Sequence, residues 1–255
     1  MSSNDSESIS LIILPGIGGH PEFHSYIISE LSQNEFLTVK SFPHGDFNTN
    51  AFTSLSQHVD YWSEIIKEEL KNNKYTAILG ISFGTTIVQS LPKDILSNLY
   101  FIINLSPVTQ NPYLKFSISI FNRLNFKFLE ISFGKILFWW SLKSSSNKDR
   151  LRELRENLYD DIYSVYSRLW NRFLSIRETP NLKDFIKNKN NVPTKVIFGT
   201  NERLLIFFFK KQLKKHTNRI EYSVVDGNHS QLINKSENIV KQINLFIQNI
   251  YAKNI

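Results

Sequence analysis

Short apolar runs alternate with helical stripes along most of the chain. Residues 11–14, Leu-Ile-Ile-Leu, form a continuous apolar run closed by Pro15-Gly16, which predicts a buried strand. Residues 36–42 predict a second strand, stopped at Pro43-His44-Gly45, and residues 76–81, 100–105, 194–198 and 220–225 predict further strands. Helical periods run between them. Phe23, Ile27 and Leu31 share one face of a helix starting near Pro21, and Leu55, Val59, Trp62, Ile66 and Leu70 keep steps of three and four from near Phe52. A last helix carries Ile239, Ile243, Phe246 and Ile250 at similar steps. Strands alternating with helices predict an α/β fold whose mainly parallel sheet is flanked by helices and joined by right-handed crossovers.

The rhythm breaks between residues 112 and 189, an interval too long for a simple crossover loop. Leu151, Leu154, Leu158, Ile162, Val165, Leu169 and Phe173 form one helical stripe there, with Tyr159, Tyr163, Tyr166 and Trp170 beside it. The expected organisation is a flexible N-terminus over residues 1–9 and an α/β core over 10–111 and 190–255. Residues 112–189 form a helical cap inserted after the fourth strand, above the carboxyl ends of the strands. Before the long stripe, residues 114–142 are dense in rings, Trp139 and Trp140 among them. These rings line an apolar slot for an acyl chain, or pack the cap onto the sheet, or meet a membrane surface through the interspersed lysines.

With 41% hydrophobic residues and 20 Phe in 255 positions, the chain can bury a large core, which excludes intrinsic disorder. The absence of cysteine excludes disulfide scaffolds, thiolate zinc sites and a cysteine nucleophile. The opening MSSNDSESI is polar and acidic where a secretion signal needs a basic start and an apolar run. No stretch approaches the about 18 consecutive apolar residues of a membrane span, so the expectation is a cytoplasmic protein with no transmembrane segment. The net charge of +7 comes from lysines spread along the chain. Without basic runs interleaved with aromatics, this excess reads as a solvated surface, and nucleic acid is not an expected partner. Lys210, Lys211, Lys214 and Lys215 share one face of the helix predicted after Glu202. That face is simply solvated, or it suits an acyl-carrier protein or a coenzyme A phosphate.

Candidate chemistry centres on Gly80-Ile81-Ser82-Phe83-Gly84, between the third strand and a predicted helix. A nucleophilic serine on a tight strand-to-helix turn has a strained backbone and needs small residues two before and two after it. The same residues also describe an ordinary glycine-flanked turn. A serine nucleophile needs a base, an acid to orient the base, and oxyanion donors. His229, in Asp226-Gly227-Asn228-His229-Ser230, follows the last strand directly and is the candidate base. His58 lies on the helix from Phe52, His44 in a turn and His216 at the end of a basic helix. His20 and His24, near the end of the first strand, fit the pocket lining better than the base position. Glu202 is the only carboxylate in the turn after the fifth strand, and none follows the fourth. It is the candidate acid, although a helix-start glutamate beside Arg203 would look the same. The oxyanion donors would be the N–H groups of Phe83 and of Ile17, within Pro15-Gly16-Ile17-Gly18-Gly19. That glycine loop lacks the lysine of a phosphate-binding loop and does not complete G-x-G-x-x-G.

From Leu11 to about Ile250, these residues resemble the α/β-hydrolase superfamily. Pro15-Gly16-Ile17-Gly18-Gly19 looks like its oxyanion loop, Gly80-Ile81-Ser82-Phe83-Gly84 like its nucleophile elbow, Gly199-Thr200-Asn201-Glu202 like its acid turn and Gly227-Asn228-His229 like its histidine loop. Pro15 stands where many members have histidine, Thr85 where a second small glycine is common, and Glu202 where aspartate is usual. The chain has no room for the family's two leading strands, so the resemblance implies a six-stranded sheet in the order 2-1-3-4-5-6. A weaker likeness, in Ser82-Phe83-Gly84 and Leu14 to Gly19, is to thioesterases of polyketide and nonribosomal peptide pathways. The resemblance implies a serine hydrolase that needs no cofactor or metal. Its substrate would be a small hydrophobic ester or thioester, contacted by Gly18, His20, Trp139 and Trp140. The alternatives are an acyltransferase or cyclase using the same triad, and a non-catalytic receptor for a hydrophobic ligand.

Overall fold

A computed structural model describes residues 8–47, 52–107, 132, 135–136, 162–213, 220–227 and 237–254. Six strands form one sheet: β1 (Ile9–Leu14), β2 (Leu37–Ser41), β3 (Thr76–Ile81), β4 (Ile102–Leu105), β5 (Thr194–Gly199) and β6 (Glu221–Val225). All neighbours are parallel and the order is β2-β1-β3-β4-β5-β6, as the sequence led us to expect. β1 begins at Ile9, so it takes in the last residue of the segment expected to be flexible. β1, β3, β4 and β5 are buried along their whole length, which is why apolar residues dominate them.

Helices cover both faces. On one side, α1 (Ser25–Leu31) and α8 (Glu237–Asn254) pack Ile27, Leu31, Ile239, Ile243 and Phe246 against Leu11, Leu79 and Ile103. The opposite face carries α2 (Leu55–Asn72), α3 (Phe83–Ser90), α4 (Lys93–Leu96), α6 (Leu182–Asn188) and α7 (Arg203–Leu213), with Trp62, Phe83, Phe185 and Phe209 against Ile12, Ile78 and Phe198. Between β4 and β5 the chain makes its insertion. Its described part is helical, with α5 (Ile162–Ser175) leading through α6 into β5.

Two helix starts differ from the sequence expectation. The segment at Pro21 opens as one 3-10 turn, Pro21–His24, before α1 begins. α2 starts at Leu55 rather than near Phe52, because Ser54 caps it and Gln57 returns the capping bond. The inward face of α2 is also rotated. Leu55, His58, Trp62, Ile66 and Glu69 are buried, whereas Val59 and Leu70 are half-buried. Glu69 is tolerated inside because Ser10 Oγ donates to it at 2.5 Å and Lys40 Nζ at 2.7 Å, tying α2 to β1 and β2. Burial raises the carboxyl's proton affinity, but these donors outweigh it and hold its pKa below the ordinary value.

Candidate active site

Ser82 follows β3 directly and caps α3. Its backbone has φ 50° and ψ −109°, close to the corner at about +60°, −120° that turns normally give to glycine. Holding a side chain there costs about 1–3 kcal/mol. Its neighbours fix the conformation. Ser82 N–H donates to the Leu105 carbonyl at 2.9 Å, and Thr85 donates to the Ser82 carbonyl through its N–H at 3.0 Å and its hydroxyl at 2.6 Å. Thr85 is thus a clasp on the turn, a role that its departure from the family pattern concealed. A Cβ on Gly80 would lie 3.0 Å from the Thr85 backbone. One on Gly84 would be driven into the Leu14 carbonyl oxygen and come within 2.8 Å of that of Pro15. Both obstacles are backbone, so Gly84→Ala should destabilise the fold by about 2 kcal/mol. An unchanged urea midpoint would contradict this packing.

The loop after β1 packs beside Ser82, since a Cβ on Gly16 would lie 3.5 Å from the Ser82 Cβ. Hydrogen bonds hold this loop from within and below. Gly19 N–H donates to the Gly16 carbonyl at 2.9 Å, and Gly16 N–H to His24 Nε2 at 2.9 Å. His44 donates its backbone N–H to the Gly19 carbonyl at 2.8 Å, and its ring Nε2 lies 3.2 Å from the Gly16 carbonyl oxygen. Among the described residues, the N–H groups of Ile17 and Gly18 meet no acceptor. Phe83 stands at the first position of α3, where an N–H has no acceptor inside its own helix. Ile17 thus lies in the loop packed beside Ser82, and Phe83 directly follows Ser82 in the chain.

His44, placed in a turn by the sequence, is a core residue. Its Nδ1 accepts from Trp62 Nε1 at 2.9 Å, so the proton sits on Nε2 and is donated to Gly16. Burial, the Arg172 charge and His58 hold its pKa well below the ordinary value, and the bond to Gly16 only partly offsets them. His58 packs edge-on against Phe83 and Phe52, and neither ring nitrogen has a hydrogen-bond partner among the described residues. Burial lowers its pKa to about 4, with Asp46 opposing and Arg172 reinforcing the shift. His20, expected to contact substrate, caps the turn at Pro21 by accepting from Glu22 N–H at 3.3 Å. Burial also lowers its pKa, against the charge of Glu22. Gly18 lies against the Phe23 ring, whose nearest atom would be 3.0 Å from an added Cβ.

Glu202 is buried at the end of β5, where its Oε2 accepts from Gly199 N–H at 2.7 Å and from Ser106 Oγ at 3.0 Å. Ser106 follows β4 and, like Ser82, has φ 50° without being glycine. The sequence expectation passed over it because it sought only a carboxylate after β4. A serine at a strand end beside Pro107 was the available signal. The loop after β6 is tied to the Glu202 turn. Asn201 N–H donates to the Gly227 carbonyl at 3.1 Å, and Thr200 Oγ1 to Asp226 Oδ1 at 3.0 Å. Asp226 is thereby engaged with Thr200. His229, two residues beyond Gly227, lies outside the described residues, as do Trp139 and Trp140.

Arg172 was also missed. It falls in phase with Leu169 and Ile176, and a charge in phase with a buried stripe was its signal. It is 1% exposed and forms a two-pronged pair with the fully buried Asp46, Nη2 to Oδ1 at 2.6 Å and Nε to Oδ2 at 3.1 Å. Its Nη1 donates to the Ile17 carbonyl at 2.6 Å. Among the described residues, no group of three metal-ligating side chains could hold an ion.

No family model matches the chain, and no curated protein is detectably similar in sequence. Solved structures are similar in shape. A lipase-esterase related protein from Clostridium acetobutylicum ATCC 824 superposes with a TM-score of 0.64 at 18% identity, over 95% of this chain and 96% of that one. A carboxylesterase of the ammonia-oxidizing thaumarchaeon Nitrososphaera gargenis gives 0.67 at 16% identity, over 98% and 93%. The Vlm2 thioesterase domain, solved with a dodecadepsipeptide bound, gives 0.64 at 13% identity, over 94% and 92%. The chain has the α/β-hydrolase fold. An α/β-hydrolase fold hosts many chemistries, so what this one does rests on the strand-end residues above. Among the described residues, no helix of this α/β-hydrolase fold is long and apolar enough to cross a membrane.

Proposed function

We propose that the chain is a serine hydrolase that cleaves a carboxylic ester or thioester with a hydrophobic acyl group. Ser82 Oγ attacks the carbonyl carbon while His229 takes its proton. His229 then returns the proton to the departing alcohol or thiol, leaving an acyl-serine that water hydrolyses. Glu202 orients the imidazole and stabilises its positive charge. Ser106 and the Gly199 N–H in turn fix the carboxylate. The N–H groups of Ile17 and Phe83 bind the oxyanion, each contributing about 3 kcal/mol in sites of this kind. Gly18 and His20, with Trp139 and Trp140 from the insertion, contact the acyl part.

The observation that carries this reading is the backbone of Ser82. A non-glycine residue is held at φ 50° between Gly80, tight against the Thr85 backbone, and Gly84, which cannot be enlarged, beside a loop with two N–H groups that meet no acceptor among the described residues. A plain strand-to-helix turn has no use for that strain. Esterases among the structural neighbours support a small ester as the substrate class.

The test is a chain-length series of p-nitrophenyl esters and matching acyl thioesters, run beside fluorophosphonate labelling with the modified peptide identified by mass spectrometry. Turnover with the label on Ser82, both absent in Ser82→Ala, is the expected result. The ester-to-thioester ratio then separates esterase from thioesterase. No turnover and no label on Ser82 would overturn the reading in favour of a ligand-binding protein.

A further inference from the structure

Arg172 stands on α5, in the insertion, yet its guanidinium reaches the loop beside Ser82. The consequence follows from peptide geometry. A trans peptide is planar, with its C=O and the next residue's N–H on opposite sides. Whatever holds a carbonyl therefore aims the following N–H. His44 and Gly19 N–H hold the Gly16 carbonyl, which fixes the plane that carries Ile17 N–H. Arg172 holds the Ile17 carbonyl at 2.6 Å, which fixes the plane that carries Gly18 N–H. Ile17 is thus pinned through the peptides on both of its sides, by side chains from separate parts of the chain.

The guanidinium is itself held. Asp46, directly after Gly45, engages Nη2 and Nε in a fork geometry that a lysine ammonium cannot reproduce. On the far side it abuts Gly19, where an added Cβ would come within 2.5 Å of the guanidinium carbon. Gly19 has φ 76°, so this close approach and this backbone both favour glycine. With Asp46 and the glycine surface fixing the fork, Nη1 is directed onto the Ile17 carbonyl.

We propose that Arg172 is a positioning residue, which through the Asp46 clamp sets the backbone of Ile17 and makes a competent oxyanion loop depend on the seating of the inserted helix α5. The inference rests on the hydrolase reading above. It assigns the insertion a second task besides covering the substrate: it completes the geometry of the reacting site from outside.

The experiment measures kcat and KM for p-nitrophenyl esters per active site, with sites counted by fluorophosphonate titration, in wild type, Arg172→Met, Arg172→Lys and Gly19→Ala. Inhibition by a trifluoromethyl ketone, whose adduct places an oxyanion beside the serine, is measured on the same samples. Arg172→Met should lower kcat about 10- to 100-fold, as misaligned catalytic groups do, with KM changed less than about threefold. The ketone should weaken in parallel with kcat/KM. Arg172→Lys should fall between Arg172→Met and wild type, and Gly19→Ala, which displaces the guanidinium without removing it, should share the signature. Should Arg172→Met not fold, the charge-free double variant Asp46→Asn with Arg172→Gln carries the same comparison. A structural role alone would reduce the number of titratable sites and the melting temperature while leaving kcat per site and ketone affinity at wild-type values. That outcome overturns the proposal and leaves the hydrolase reading standing. Absence of turnover and labelling in the wild type overturns both.

Discussion

Ser82→Gly should abolish ester hydrolysis and, in the same protein, raise the melting temperature. Loss of the nucleophile is expected to lower kcat on the order of 10⁴-fold or more, leaving only what binding and the oxyanion donors contribute. The gain in stability has a separate origin. Ser82 occupies φ 50°, ψ −109°, a conformation that strains any residue with a Cβ and that glycine adopts freely. Relief of about 1–3 kcal/mol of strain is offset by the about 0.5–1 kcal/mol of extra chain entropy that glycine loses on folding. The net gain is about 1 kcal/mol, a rise of roughly 2–4 °C for a chain of this size. Ser82→Ala separates the two effects. Alanine keeps the Cβ and the strain, so it should match glycine in lost activity while melting close to wild type. Calorimetry on the three proteins checks the prediction. Equal melting temperatures for the alanine and glycine variants would show that the turn imposes no strain on residue 82, and would remove the main support for a reactive serine there.

How much of this site was legible beforehand follows from which interactions are local. β1, β3, β4 and β5 could be read because they are buried along their length and mostly apolar, whereas the sheet order came from the family resemblance. The turn at Ser82 was legible for a similar reason, since the steric demand and the glycines that answer it lie within five residues. Glu202 was proposed from chain order alone, and the structure adds what holds its carboxylate, the Ser106 hydroxyl 96 residues away. What stayed hidden was polar and non-local. Arg172 meets Asp46 across 126 residues and Ile17 across 155, and nothing in either neighbourhood encodes the partner. His44, His58 and Glu69 were hidden because amphipathic reading assigns polar side chains to the surface. Here Trp62, Gly16, Lys40 and Ser10 satisfy His44 and Glu69 inside, while His58 is buried among rings with no hydrogen-bond partner among the described residues. The triad could be sought from the pattern, whereas the scaffold that steadies the loop beside it required the fold.

His58 also makes the fold acid-sensitive, which is the second large effect. In the unfolded chain its imidazole titrates near 6.5, whereas in the fold burial lowers its pKa to about 4. Between those values the unfolded state binds the proton and the folded state does not, so acidification favours unfolding. The contribution of the neutral ring is fully present above about pH 6.5 and is lost as pH falls toward 4. It amounts to about 2 kcal/mol by pH 5 and about 3 kcal/mol across the whole window. His44 acts in the same direction, since burial, Arg172 and His58 all resist its protonation. Asp46 faces the cluster and favours a charged His58, but it is already committed to Arg172 and does not prevail. Glu69 cannot produce the effect above pH 5, because its carboxyl has been driven below an ordinary value of 4.5. Urea unfolding of the wild type should therefore show a fall of at least about 2 kcal/mol between pH 7 and pH 5. His58→Leu removes a ring whose two nitrogens have no hydrogen-bond partner among the described residues, so it should cost little at pH 7. It should also recover the part of the loss at pH 5 that belongs to His58, about 2 kcal/mol, and leave the part that belongs to His44. A pH 7-to-5 difference as large in His58→Leu as in the wild type would assign the acid sensitivity to other groups.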